Sequence, residues 1–253
     1  MDVIGTWKNK LSFRESLTLA TNLQGWLAGH TLSVDLQLLP SAVALNAVRA
    51  LIPPTVELGC QNIGWDARHA LTGETSANAA REAGASFVMI GHSERRTYLS
   101  ETNDQVAAKL RAALAAGLGA LVCIGETYAE RNEGRTKAVV TEQVDAILPI
   151  LSEFGIRGVR IAYEPAWAIT TSQQSLPANP TMAANDHAFI RDLMVERLGA
   201  NGGDLPLIYG AGVNIDNVTD FAQTENVDGV LVGGASQTYQ SLTAIVEKVE
   251  GSL

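Results

Sequence analysis

The stretch Tyr163-Glu164-Pro165-Ala166-Trp167-Ala168-Ile169 decides the fold, because a proton-transfer residue stands directly after a short apolar run. Val159 to Tyr163 is β-prone, and Pro165 bars Glu164 from the helical region, so the glutamate falls on the turn leaving a strand. A second stretch, Ile90-Gly91-His92-Ser93-Glu94-Arg95-Arg96, repeats the arrangement. Phe87 to Ile90 is apolar, Gly91 releases the backbone, and His92 sits at the strand's C-terminal tip. A carboxylate and an imidazole on two strand ends can meet in one pocket.

Working outward from these junctions, short β-branched or apolar runs alternate with longer helical windows, with no low-complexity stretch or Ser/Gly-rich linker between them. Strands are expected near Val3–Trp7, Leu32–Leu39, Val56–Cys60, Phe87–Ile90, Leu121–Ile124, Val159–Tyr163, Leu207–Tyr209 and Gly229–Val232. That number fits a single-domain (β/α)8 barrel over residues 1–253. Helix starts are signalled by Ser12-Phe13-Arg14-Glu15 and Thr102-Asn103-Asp104-Gln105, each a capping box, and by Pro180 ahead of Met182–Leu198. Gly29, Gly84, Gly117 and Gly199 stand where helices should stop. An open doubly wound sheet would normally carry a Gly-rich turn after its first strand, and Thr6-Trp7-Lys8-Asn9-Lys10 has none.

The 253 residues, 46% hydrophobic, suffice for one large core. Eighteen basic against 27 acidic residues give a formal charge of −9, which argues against nucleic acid or an anionic membrane as partner. No apolar run approaches a membrane span, and Asp2 stands where a signal peptide wants basic residues, so the chain reads as cytoplasmic. Cys60 and Cys123 lie in or just after apolar runs and read as buried free thiols, with no Cys/His spacing for a metal.

Together with Thr6-Trp7-Lys8 near the start and Leu231-Val232-Gly233-Gly234-Ala235-Ser236 near the end, the two opening motifs closely resemble triosephosphate isomerase. The resemblance spans nearly the whole chain. It implies a TIM barrel, a cofactor-free aldose–ketose isomerase of dihydroxyacetone phosphate and glyceraldehyde 3-phosphate, and an enediolate intermediate. Parallel barrels keep their active sites on the loops at the strands' C-terminal ends, where Lys8, His92, Glu164 and Gly233-Gly234 all fall. Glu164 is the expected base, His92 the electrophile that polarises the carbonyl oxygens, and Lys8 a fixed cation for phosphate and enediolate charge. The family is a known case of a glutamate base working with a histidine kept neutral by a helix N-terminus, and that pair is carried over here by motif. Ser93-Glu94-Arg95 would supply the helix N-terminus, Glu94 would neighbour Lys8, and Pro165 with Trp167 would form a stiff apolar wall. Gly233 and Gly234 would let backbone N–H groups approach a phosphate.

Taken singly, each residue has a plainer reading. A glutamate before proline is usually a solvated turn residue, a lone lysine a solvated side chain, and Gly-Gly a turn. Co-occurrence at strand ends supplies the specificity. His30, His69 and His187 have no motif around them and read as structural. The resemblance also implies a homodimer, in which the long loop Gln61–Glu74, carrying Trp65 and Leu71, inserts beside the partner's first-strand lysine.

Three departures from the family's usual pattern surround the phosphate and the lid. Thr6 stands where an asparagine normally reaches the substrate. The lid after the sixth strand runs Thr170-Thr171-Ser172-Gln173-Gln174-Ser175 without its tip glycines, reaching Pro180 after roughly three extra residues. Tyr209-Gly210-Ala211-Gly212 lacks the serine that would bond phosphate, and Ala211 fits poorly if its position needs positive φ. Hydroxyls of Thr170, Thr171 or Ser172 are expected to replace the missing serine. Two alternatives stay open: an isomerase of a four-carbon sugar phosphate, and a non-catalytic phosphate-ligand-binding barrel. Retention of Lys8, His92 and Glu164 together speaks against the second.

Overall fold

A computed structural model describes residues 1–65, 70–169, 177 and 179–253. Eight strands run in sequence order around a closed barrel: β1 (Asp2–Thr6), β2 (Asp35–Leu39), β3 (Glu57–Cys60), β4 (Phe87–Ile90), β5 (Gly119–Ile124), β6 (Val159–Tyr163), β7 (Leu207–Tyr209) and β8 (Gly229–Val232). Every neighbouring pair is parallel, and β8 closes onto β1. The expected strand Leu32–Leu39 is corrected at its start. Pairing begins at Asp35, opposite Asp2, with the Asp35 N–H on the Met1 carbonyl at 3.0 Å; Ser33 instead donates its N–H to Glu250 at 2.7 Å, which takes the chain before Asp35 off the ladder.

Between and after the strands lie α1 (Phe13–Leu27), α2 (Leu45–Arg49), α3 (Ala77–Glu82), α4 (Ser93–Leu99), α5 (Asn103–Ala115), α6 (Tyr128–Asn132), α7 (Thr136–Phe154), α8 (Pro180–Leu198), α9 (Val218–Ala222) and α10 (Tyr239–Glu250). Capping boxes open α1 at Ser12 and α5 at Thr102, and the chain carries a third at Thr127, closed by Glu130. Asn179 accepts from Thr181 and Met182 N–H, with Pro180 preset in the first turn of α8.

Strand alternation divides the apolar residues into two layers. Ile4, Leu39, Phe87, Met89, Leu121, Cys123, Ala162, Ile208 and Leu231 fill the barrel, while Val3, Leu36, Leu38, Val88, Val122 and Ile161 face the helices. Such a filled barrel is a core rather than a pore, so polar chemistry is confined to its two ends. Cys60 and Cys123 are buried and unpaired. Among the described residues no helix is long and apolar enough to cross a membrane, and no cluster of His, Cys, Asp and Glu is arranged to hold a metal.

Candidate active site

At the C-terminal mouth of the barrel, Thr6, Lys8, His92, Glu164, Gly212 and the Gly233-Gly234 pair border one cavity of about 130 Å³. His92 is the N-cap of α4, and its Nδ1 accepts the Glu94 N–H at 3.2 Å. A ring nitrogen that accepts carries no proton. The neutral imidazole therefore keeps its hydrogen on Nε2, which stands 3.3 Å from Glu164 Oε1. Glu164 is 1% exposed. Its Oε2 accepts from the Ser93 N–H at 3.2 Å, and its own N–H is fixed on the Ile124 carbonyl at 2.7 Å. A Cβ at Gly210 would lie 2.9 Å from Glu164 Cγ, so glycine leaves the carboxylate its room.

Lys8 turns off β1 at a left-handed φ of +50°, and Gln61 Nε2 donates to its carbonyl at 2.8 Å. Its ammonium reaches Glu94 Oε1 at 2.7 Å, so those two residues meet. Thr6 is buried beside the cavity, and its hydroxyl has no hydrogen-bond partner among the described residues. Cys123 lies against Glu164; burial first, and then that carboxylate, push its thiol well up, so it remains protonated.

The structure does not bring every expected residue into the cavity. Trp167 turns its indole away, donating Nε1–H to Glu126 Oε1 at 2.9 Å, so it is a buried anchor rather than the cavity wall; Ile169 and Leu231 supply apolar lining instead. Tyr209 stands behind, stacked on Phe221 with ring centroids 4.3 Å apart. The left-handed backbone in the loop after β7 falls at Gly212 (φ +63°), not at Ala211, which is buried in an ordinary conformation. That removes the expected misfit of Ala211. His187 is buried with Nδ1 2.9 Å from the Asn226 carbonyl, and burial lowers its pKa to about 4. His30 pairs with Glu250 at 2.6 Å. Thr170, Thr171, Ser172 and His69 lie outside the described residues, and with them the expected replacement contacts of the lid.

Several supporting residues escaped sequence reasoning. Arg96, largely buried, donates to the Gly91 carbonyl at 2.8 Å and to Asn103 Oδ1 at 2.7 Å, bracing the strand end that carries His92. Glu101 accepts the Gly91 N–H and is paired with the fully buried Lys109, which also reaches Asn62 Oδ1 at 2.6 Å. A buried lysine gives no signal in sequence until its partners are known.

A model of the triosephosphate isomerase family matches residues 1–249. The chain belongs to the triosephosphate isomerase family. It is 37% identical to the triosephosphate isomerase of Photorhabdus laumondii over 97% of this chain and 95% of that one. The Magnetococcus marinus enzyme of the same name is 35% identical over 97% and 96% of the two chains. That of Halorhodospira halophila is 41% identical over 83% and 84%. In this triosephosphate isomerase family member, the cavity at the barrel mouth coincides with the place the two opening motifs indicate.

Proposed function

We propose that the chain interconverts dihydroxyacetone phosphate and glyceraldehyde 3-phosphate through an enediolate, with Glu164 moving the proton and His92 polarising the oxygens. The observation that carries this is the opposition of a buried carboxylate and a neutral Nε2–H donor 3.3 Å apart on one cavity. Family membership over residues 1–249 supports the same reaction. Glu164 takes a proton from the carbon beside the carbonyl and returns it to the neighbouring carbon. His92 Nε2–H bonds the oxygen on which charge develops, and Lys8 adds a positive charge nearby. Backbone N–H groups around Gly212, Gly233 and Gly234 receive the phosphate, with Thr6 reaching the substrate and Thr170 the phosphate side. Glu94, Trp167 and Tyr209 support this set from behind.

The mechanism assigns no step to a metal or cofactor. EDTA-treated, dialysed protein is expected to keep full turnover in a coupled assay; loss on chelation with recovery on adding a divalent ion would reject it. One observation favours a second reading. Thr6 is shorter than the family's usual asparagine and its hydroxyl has no partner, which suits a four-carbon sugar phosphate with one more hydroxyl. Rates measured side by side on three- and four-carbon substrates separate the two.

The chain works as one barrel domain over 1–253 and as a homodimer through Gln61–Glu74. Supporting the dimer, Val43, Tyr98 and Leu99 are apolar residues 79%, 66% and 62% exposed on the connections after β2 and β4, flanking that loop after β3. Sedimentation showing an active monomer at micromolar concentration would contradict it. Two buried free thiols support the cytoplasm as its compartment.

A further inference from the structure

Behind the cavity, five side chains, from β6 and the turn after it, from α6 and the turn before it, and from α8, converge on the segment that carries the base. Glu126, 0% exposed, accepts from Trp167 Nε1 at 2.9 Å, from Arg131 Nη1 at 3.1 Å and from the Tyr163 hydroxyl at 3.0 Å. Its backbone carbonyl also takes the Ala166 N–H. Tyr163 directly precedes Glu164 and Trp167 follows it by three residues, so this cluster grips the base on both sides. Asp186 enters from α8, on the far side of residues 170–178. Its Oδ2 accepts from the same Tyr163 hydroxyl at 2.9 Å and from the same Arg131 Nη1 at 2.9 Å.

One phenol has one proton. Burial, reinforced by the charges of Glu126 and Asp186, drives Tyr163 far above the ordinary phenol range, so that proton never leaves. Two carboxylates 2.9 and 3.0 Å from one O–H must therefore compete for it, whereas Arg131 Nη1, with two N–H groups, serves both. The share of the phenol proton that Asp186 holds, Glu126 lacks, and a carboxylate with less of that donor is the stronger acceptor for those it keeps, Arg131 and the indole of Trp167.

We infer that Asp186 is a positioning residue for Glu164: by drawing the Tyr163 proton toward α8 it keeps Glu126 free to hold Trp167, and thereby fixes the segment bearing the base. It touches no substrate. The inference rests on the isomerase reading above for its kinetic readout, and on Trp167 itself for an independent one.

The test compares Asp186→Asn, Tyr163→Phe and the double variant. Asp186→Asn keeps the shape but weakens the acceptor, so kcat is expected to fall about three- to tenfold with KM within about twofold. The double variant should be no slower than the worse single one, because both act through one proton. In a 1H–15N spectrum the chain's four tryptophans give four indole signals, and that of Trp167 is assigned by its disappearance in Trp167→Phe. It should move in Asp186→Asn while the other three stay. Wild-type kcat, an unmoved Trp167 signal, or losses that multiply in the double variant each overturn the inference. Wild-type protein without isomerase turnover defeats the functional reading instead, while the indole signal still reports the bond. Asp186→Ser gives the same readouts should the asparagine variant not fold.

Discussion

The two ends of the barrel interior both carry buried charge, and they treat it in opposite ways. At the N-terminal floor, Arg160 on β6 donates Nε to Asp2 at 2.8 Å, reaches Glu57 with Nη2 at 3.5 Å, and lies 5.9 Å from the centre of the Phe87 ring. At the mouth, Glu164 has a backbone N–H and a neutral imidazole for company, and the nearby Lys8 spends its ammonium on Glu94. The floor neutralises its carboxylates with a cation. Glu164 has no cation bonded to it among the described residues, so its remaining lone pairs are available to a proton. The same side-chain chemistry gives a cation-bound plug at one end and a carboxylate without a bonded cation at the other, according to which partner the fold brings to it.

The largest effect is expected at Glu164. Glu164→Gln keeps shape and polarity but cannot accept the proton, so kcat is expected to fall at least about a hundredfold, with binding of a phosphate-bearing analogue little changed. Turnover within a few-fold of wild type would remove Glu164 from the base role. Next in size is the floor. Arg160→Met strands the largely buried Asp2 carboxylate and should lower the unfolding free energy by about 2 kcal/mol, below the usual 3–5 because both partners keep some water contact. Turnover by the folded fraction should be unchanged; equilibrium denaturation alongside the assay checks both halves.

Within the mouth, Gly212→Ser loads the left-handed turn after β7. A serine there must hold the left-handed φ of +63°, at about 1 kcal/mol, so Tm should drop by roughly 2–4 °C. An unchanged or higher Tm would mean that the loop re-forms around the new side chain. The smallest effect is at Asp2, whose pKa is raised, by burial chiefly, against the pull of Arg160. A carboxyl raised on folding contributes stability that is full below its unfolded pKa of about 3.9 and is lost as pH rises through the folded value. Asp2→Asn, which titrates no proton there, should therefore compare worse with wild type in acid than near neutrality. Melting both across pH 3–7 decides it, and a deficit larger at neutral pH than in acid is the contrary result.

The sequence made the mouth legible because its signals are local. Pro165 fixes the backbone of Glu164, Gly91 ends the strand before His92, and the capping boxes at Ser12 and Thr102 need four consecutive residues. Thr127 to Glu130 carries the same local signal, and it opens α6. The floor and the cluster around Glu126 were illegible for a physical reason: Asp2 and Arg160 lie 158 positions apart, and Tyr163 and Asp186 are chosen as partners only once the barrel has closed. Trp167 shows the cost. Its position beside Glu164 predicts a cavity wall, and its N–H, which must be satisfied when buried, takes it to Glu126 instead.

The pairing of β8 with β1 has a consequence for how the molecule is made. Asp2 finds Gly229, and Val3 finds Val230, only after the 227 positions that separate each pair have left the ribosome. At about 5–20 residues per second, the first strand waits roughly 10–45 s with one hydrogen-bonding edge open. A strand of Asp-Val-Ile-Gly-Thr is a template for mispairing during that interval. Asp2, which ends as part of the floor, begins as a charge on that exposed edge, where a carboxylate discourages a second nascent chain from adding to it.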